Sequence, residues 1–277
     1  MASEEKPKKI AFVGAGNMAS AIIRGLLDTG FSPASIAAAD PSAAARTALQ
    51  SLNMTALYEQ PQDAVANAEL VVLAVKPQIM SAVVNGLRDA LPLGTTVMSI
   101  AAGIPLATLT HWINTPGIHV VRCMPNTPSL IRCGASALYA DSSVGRRERL
   151  FAETTMAAVG TTLWVDEEAK MDAVTAVSGS GPAYFFAFIE SMIENGERLG
   201  LSYEQALTLT VQTALGAARL ASEQAIPIDV LRRNVTSPGG TTERALLSFQ
   251  ADGLSGVVGN AMDACYRRAN DMAKEFD

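Results

Sequence analysis

Gly14-Ala15-Gly16-Asn17-Met18-Ala19 follows directly on the apolar run Ile10-Ala11-Phe12-Val13. A helical pattern begins inside it, with Ile22, Ile23, Leu26 and Leu27 on one face and Gly30 at its end. The order is strand, tight glycine turn, helix. Gly14 permits the turn, Gly16 lets backbone approach a pyrophosphate, and Ala19 stands where a small residue allows close helix–strand packing. Free N–H groups at the helix start, with the helix dipole behind them, attract phosphate. The chemistry would be the holding of a dinucleotide; the alternative is an ordinary strand-to-helix turn that needs two glycines. Asp40 ends the next apolar run, roughly twenty residues on, where a carboxylate can accept from a ribose 2′-hydroxyl. That favours NAD(H). Ser42 and Arg46 lie just downstream and could serve a 2′-phosphate, so NADP(H) stays open.

Two stretches in the second half have a different chemistry. Ser178-Gly179-Ser180-Gly181-Pro182-Ala183-Tyr184 breaks one helical pattern and starts another, with Pro182 suited to a first turn. Val235-Thr236-Ser237-Pro238-Gly239-Gly240-Thr241-Thr242-Glu243 does the same further on. Ser237, Thr241 and Thr242 supply hydroxyls, and the glycines let successive N–H groups converge where a helix begins. That is a cradle for a carboxylate. Two plain helix caps would read the same way. Lys76 follows an apolar run and could face cofactor phosphate, substrate carboxylate or solvent.

The elements that must position these residues come next. Strands are expected at 10–13, 36–39, near 54–57, at 70–75, 96–100 and 118–122, with further ones at 135–139 and 162–165. The run Leu70-Val71-Val72-Leu73-Ala74-Val75 is apolar throughout, as a strand covered on both faces should be. Helices are expected at 43–52, after Pro61, at 78–91 and at 146–159. Alternation of this kind predicts an open, mostly parallel, doubly wound sheet. Ligands then bind beyond the carboxyl ends of the strands, where Gly14 to Met18, Val75-Lys76-Pro77, Ala101-Ala102-Gly103 and Met124-Pro125-Asn126 fall. From Glu168 on only helices are expected: 170–178, 182–199, 203–224, 228–233, 242–251 and 254–276. The domain division predicted is 1–167 and 168–277. Residues 206–220 are apolar around most of a helix, which requires burial. A partner subunit is expected to cover them, in preference to a tight monomeric bundle.

Composition narrows the classes. The chain has 277 residues, 49% hydrophobic and 17% charged, with net charge −6. No concentrated cationic footprint for nucleic acid is present. No apolar run is long enough to span a bilayer, and residues 1–9 lack the apolar core of a signal peptide. Cys123, Cys133 and Cys265 are odd in number and lack metal-ligand spacing, so a reduced, cytoplasmic setting is expected. His111 and His119 flank Pro116-Gly117 and are read as surface or loop residues; no metal site is expected.

Taken together, Gly14-Ala15-Gly16-Asn17-Met18, Ala74-Val75-Lys76-Pro77-Gln78, Met124-Pro125-Asn126-Thr127-Pro128, Ser178 to Tyr184 and Ser237-Pro238-Gly239-Gly240-Thr241-Thr242 resemble pyrroline-5-carboxylate reductase. The resemblance runs in order over nearly the whole chain, and the Ser-Pro-Gly-Gly-Thr-Thr stretch is its most specific part. It implies a Rossmann-like α/β domain followed by an all-α dimerisation domain, with dimers often assembled into larger rings. It implies reduction of 1-pyrroline-5-carboxylate to L-proline by NADPH or NADH. By matching position the cofactor would touch Gly14, Ala15, Gly16, Asn17, Met18, Asp40, Ser42, Ala74, Val75, Lys76, Pro77, Ala101, Ala102 and Asn234. The substrate carboxylate would meet the Ser237 hydroxyl and the N–H groups of Gly240, Thr241 and Thr242. The Thr242 hydroxyl would meet the ring nitrogen and act as the catalytic group. Glu168 matches, more loosely, a position near the substrate. Family members that carry a small neutral residue in place of Asp40 leave cofactor preference open. The rivals are another imine reductase or a β-hydroxyacid reductase, which needs a catalytic Lys that neither Lys170 nor Lys274 supplies in a suitable motif, and a non-catalytic NAD(P)H sensor.

Overall fold

A computed structural model describes residues 7–276. Contacts divide the chain into two compact units, residues 1–180 with 265–277, and residues 181–264. The strands end before residue 168, yet compactness keeps the next helical segment and the last thirteen residues with the sheet.

The first unit is built on eight strands: β1 (Ile10–Val13), β2 (Ile36–Ala39), β3 (Leu57–Tyr58), β4 (Leu70–Leu73), β5 (Thr96–Ser99), β6 (His119–Met124), β7 (Gly134–Tyr139) and β8 (Gly160–Trp164). Their spatial order is β3-β2-β1-β4-β5-β6-β7-β8, all neighbours parallel except β6 and β7. In-register pairing places Ile10 beside both Ile36 and Leu70. Side chains alternate across β1. Ile10 and Phe12 enter one core with Ile22, Ile23 and Leu26 of α1 (Asn17–Asp28), Leu49 of α2 (Ala43–Gln50), and Ala152 and Met156 of α6 (Arg146–Ala157). Ala11 and Val13 enter the opposite core with Ala64 and Val65 of α3 (Pro61–Val65), Met80 and Val84 of α4 (Pro77–Asn85), and Leu106, Leu109 and Ile113 of α5 (Leu106–Ile113). Helices therefore cover both faces, and the strand order reverses between β1 and β4.

Three local expectations need correction. Helix α4 stops at Asn85 because Gly86 caps it, and Leu87 to Leu91 continue as turns. The third strand is two residues long and begins at Leu57; only Leu57 and Tyr58 pair with β2. Helix α5 is an addition, and it places His111 on an exposed helical turn, while His119 opens β6.

After β8 come α7 (Lys170–Val174), a π-helical turn at Thr175–Gly179, and α8 (Gly181–Arg198). The Ser-Gly-Ser-Gly stretch thus ends one helical segment, in a π turn where Ser180 N donates to Thr175 O at 2.8 Å, and opens α8 with Pro182 in its first turn, as expected. The second unit holds α8, α9 (Tyr203–Glu223), α10 (Ile228–Asn234), α11 (Thr241–Ala251) and most of α12 (Leu254–Lys274). A reciprocal Ser202–Gln205 capping box starts α9. At its far end the chain returns to the sheet unit, where Phe276 meets Trp112 edge-on at 6.2 Å. Among the described residues no helix is long and apolar enough to cross a membrane.

Candidate active site

Where β1 and β4 diverge, their following loops touch. Gly14 takes φ +99°, and a Cβ there would lie 2.7 Å from Ala74 O. A side chain is excluded by backbone conformation and by contact at once. Gly16 caps α1 without a side-chain hydrogen bond, and a Cβ there would meet nothing within 4 Å. Gly16 therefore borders open space, and the first amides of α1 have no side-chain cap. This space is a cavity of about 490 Å³ lined by Gly14, Gly16, Asp40, Glu59, Ala74 and Lys76, among others. It is the crevice at the switch point of a doubly wound sheet, and the residues present fit a dinucleotide.

Asp40 is tied to the glycine turn. Its Oδ2 accepts from Ala15 N and its Oδ1 from Ser42 N, each at 2.8 Å. Ser42 caps α2, its Oγ accepting from Ala45 N at 3.3 Å. Arg46 folds back, donating to Asp40 O at 2.6 Å and Pro41 O at 3.1 Å. Asn17 is exposed and Met18 half-buried at the start of α1. Val75 lines the cavity, Lys76 caps α4, and Pro77 is that helix's first residue. Ala101 and Ala102 follow β5 and are half-buried.

Deeper in the same unit lies an ionic cluster that sequence reading found only in part. Glu168 Oε1 accepts from Leu106 N at 2.6 Å and from Arg122 at 2.5 Å. It caps α5 and fixes β6 together. Asp172 on α7 shares this field, and burial raises its carboxyl above the ordinary range. Asn126 bridges the loop after β6 to the π turn: its Nδ2 donates to Ser178 O at 3.0 Å and its Oδ1 accepts from Ala135 N at 2.9 Å. Arg122, Asn126 and Asp172 had no sequence signal of their own beyond the Met124-Pro125-Asn126 punctuation. Cys123 is wholly buried, and burial drives its thiol far upward, so it is no nucleophile. Among the described residues no group of three or more His, Cys, Asp or Glu could hold a metal ion.

In the second unit the Ser237–Thr242 stretch is a tight turn into α11. Gly239 has φ +72°, and Gly240 N closes the turn onto Ser237 O at 3.0 Å. Glu243 Oε2 accepts from Gly239 N at 2.8 Å. Two of the turn's amides are thus engaged within the chain. Gly240 caps α11 with no side-chain hydrogen bond, so the next amides, of Thr241 and Thr242, start the helix. Thr242 is half-buried and Ser237 exposed; Asn234 ends α10, exposed.

Comparison with known proteins bears on the whole chain. Residues 168–272 match the family described as pyrroline-5-carboxylate reductase dimerisation, and residues 9–103 match NADP oxidoreductase coenzyme F420-dependent. The chain is 49% identical over 268 residues to a pyrroline-5-carboxylate reductase of Pseudomonas aeruginosa, covering 97% of this chain and 98% of that one. A solved pyrroline-5-carboxylate reductase of Coxiella burnetii superposes with TM-score 0.92 at 37% identity, covering 96% and 98%. The Plasmodium falciparum pyrroline carboxylate reductase, solved with NADP bound, gives 0.83 at 28% identity, covering 96% and 98%. With a crevice at the switch point, a glycine turn opening α11 and such likeness from end to end, the chain belongs to the pyrroline-5-carboxylate reductase family.

Proposed function

We propose that this chain reduces 1-pyrroline-5-carboxylate to L-proline with NAD(P)H, the last step of proline synthesis, as a homodimer or a ring of dimers in the cytoplasm. The observation that carries this is the pairing, in one chain of this family, of two uncapped helix starts: α1 at the crevice and α11 behind the Ser237–Gly240 turn. Each offers amides to an anion, and the substrate and the cofactor are both anions.

Bound NAD(P)H supplies the hydride taken up by the imine carbon. The Gly14 to Met18 turn would hold the pyrophosphate, with the Ala15 N–H given to Asp40, and Lys76 would supply positive charge to the crevice. Ala74, Val75, Pro77, Ala101, Ala102 and Asn234 would be its further contacts, as the family resemblance implies. The Ser237 hydroxyl and the amides of Thr241 and Thr242 receive the substrate carboxylate. Gly240 contributes through the turn it closes, since its own N–H is given to Ser237 O. The Thr242 hydroxyl hydrogen-bonds the ring nitrogen, donating to the neutral imine and accepting from its protonated form, and that nitrogen ends the reaction as an amine. Glu168 fixes β6 and the start of α5 through Arg122 and the Leu106 amide. No strong base is required: solvent supplies the proton to the ring nitrogen, which makes the carbon electrophilic, and hydride addition there returns the nitrogen as a neutral amine. Help of the kind given by Thr242 is worth roughly 10²–10⁴-fold.

The test is oxidation of NAD(P)H by the purified protein on addition of pyrroline-5-carboxylate, with proline as product. Thr242→Ala should lower kcat/KM at least about tenfold while cofactor affinity stays nearly constant. Absence of turnover in the parent protein would overturn the function; unchanged kinetics in the variant would remove Thr242 from its role.

A further inference from the structure

The charges at one end of the crevice are unevenly engaged. Where β2 ends, the cavity is walled by Asp40, Pro41, Glu59 and Gln60. Asp40 accepts an amide on each oxygen, from Ala15 on one side and Ser42 on the other. A carboxylate pinned at both oxygens cannot turn aside for an incoming anion. Each oxygen keeps a second lone-pair site, so it can still accept from a hydroxyl.

The one cation beside it is already committed. The Arg46 side chain is only 22% exposed, and its guanidinium lies on the carbonyls of Asp40 and Pro41, with Glu59 at 3.6 Å. To meet a phosphate it would have to release both carbonyls. The Ser42 Oγ accepts as the cap of α2; its O–H can still donate but, being neutral, offsets no phosphate charge. Among the described residues Lys76 is the one cation lining the cavity, and it stands beyond the end of β4, across β1 from this wall. Two carboxylates therefore confront one occupied guanidinium.

We propose that this end of the crevice is built for a ribose 2′-hydroxyl, so that the chain selects NADH over NADPH, with Asp40 and Glu59 as the discriminating residues. The proposal rests on the reading of the crevice as the dinucleotide site. A 2′-phosphate carries between one and two negative charges near neutral pH, and here it would meet a fixed carboxylate with no free cation to offset it. Like charges held together at an interface act as a rejecting element, separate from whatever attracts the preferred ligand.

The experiment is calorimetric titration of the full-length protein with NADH and with NADPH, without substrate. NADH should bind at least about tenfold more tightly. Glu59→Gln removes a charge without touching the glycine turn and should narrow the ratio about threefold. Asp40→Asn should narrow it further, and Arg46→Ala should weaken both cofactors alike. Equal or tighter binding of NADPH by the parent protein overturns the proposal. So does a loss confined to NADPH in Arg46→Ala, which would make Arg46 a phosphate ligand. Binding of neither cofactor would instead bring down the dinucleotide reading, and the selectivity with it.

Discussion

Arg122 is 8% exposed in the middle of the sheet unit, and its partner Glu168 and neighbour Asp172 are both carboxylates. One guanidinium cannot satisfy two anions equally. Glu168 takes the short contact, while Asp172 is raised first by burial, with Glu168 adding to the rise and Arg122 opposing it. A carboxyl raised on folding makes the ionised form a cost to the folded state. That cost is absent below the ordinary Asp value near 4, sets in as pH rises towards the folded value, and is constant above it. Asp172→Asn should therefore raise Tm at pH 7, with the gain shrinking as pH is lowered towards 4. Calorimetric scans across that range check it; a gain that grows on acidification would reverse the assignment. What the sequence disclosed at this scale was the local chemistry. Gly14, Gly16 and Asp40 lie within one strand–helix–strand unit, so their spacing suffices to place them. Arg122 finds its partner 46 positions away, and Asn126 finds Ser178 at 52. Nothing in a linear pattern specifies such pairs. Asp40 shows the boundary: its position at the end of β2 was legible, but its two bonds to the turn were not.

At the scale of elements, Gly25 sets propensity against packing. It lies inside α1, where alanine would be favoured over glycine by about 1 kcal/mol. Yet a Cβ there would come 2.6 Å from Ala158 O and 2.7 Å from Val159 Cγ1. The carbonyl belongs to the tight connection between α6 and β8, which cannot retreat without moving the sheet edge. Overpacking of this kind costs roughly 1–3 kcal/mol, so Gly25→Ala should lower Tm despite its better helix propensity. A raised Tm would mean that the connection yields. The same competition explains which elements were readable. Strands β1 and β4 are apolar throughout and stand out. Helix α5 did not, because Leu-Ala-Thr-Leu-Thr-His-Trp-Ile is short and rich in β-branched and aromatic residues with poor helix preference. It forms because Leu106, Leu109 and Ile113 bury against the sheet and Glu168 caps its first amide. The π turn at Thr175–Gly179 was equally hidden, since its widening depends on i to i+5 hydrogen bonds such as Ser180 N to Thr175 O.

For the molecule as a whole, the second unit is short of cover. Residues 181–264 leave Phe185 69%, Phe186 62%, Leu209 57%, Leu215 50% and Val257 62% exposed. Of the 21 residues of α9 only Ala206 and Thr210 are buried. A helix apolar on most sides and covered on one requires another surface, and residues 168–272 match a dimerisation family. The proposed homodimer would bury α9 in an interface between two copies of the chain. In a two-fold dimer each contact occurs twice, and each fully buried leucine contributes roughly 1.5–3 kcal/mol relative to exposure. Leu209 and Leu215 are already half covered, so about half of that range applies to each. Replacing both with Asp removes this gain and also buries unpaired charge, which costs several kcal/mol more. Leu209→Asp with Leu215→Asp should therefore sediment as a monomer at micromolar concentration, and its Tm should fall. The parent protein's Tm should climb with protein concentration, as expected when folding is linked to association, and the double variant should lose that dependence. An intact dimer in the double variant would move the interface off α9 and leave the apolar faces of α8 and α12 to carry it.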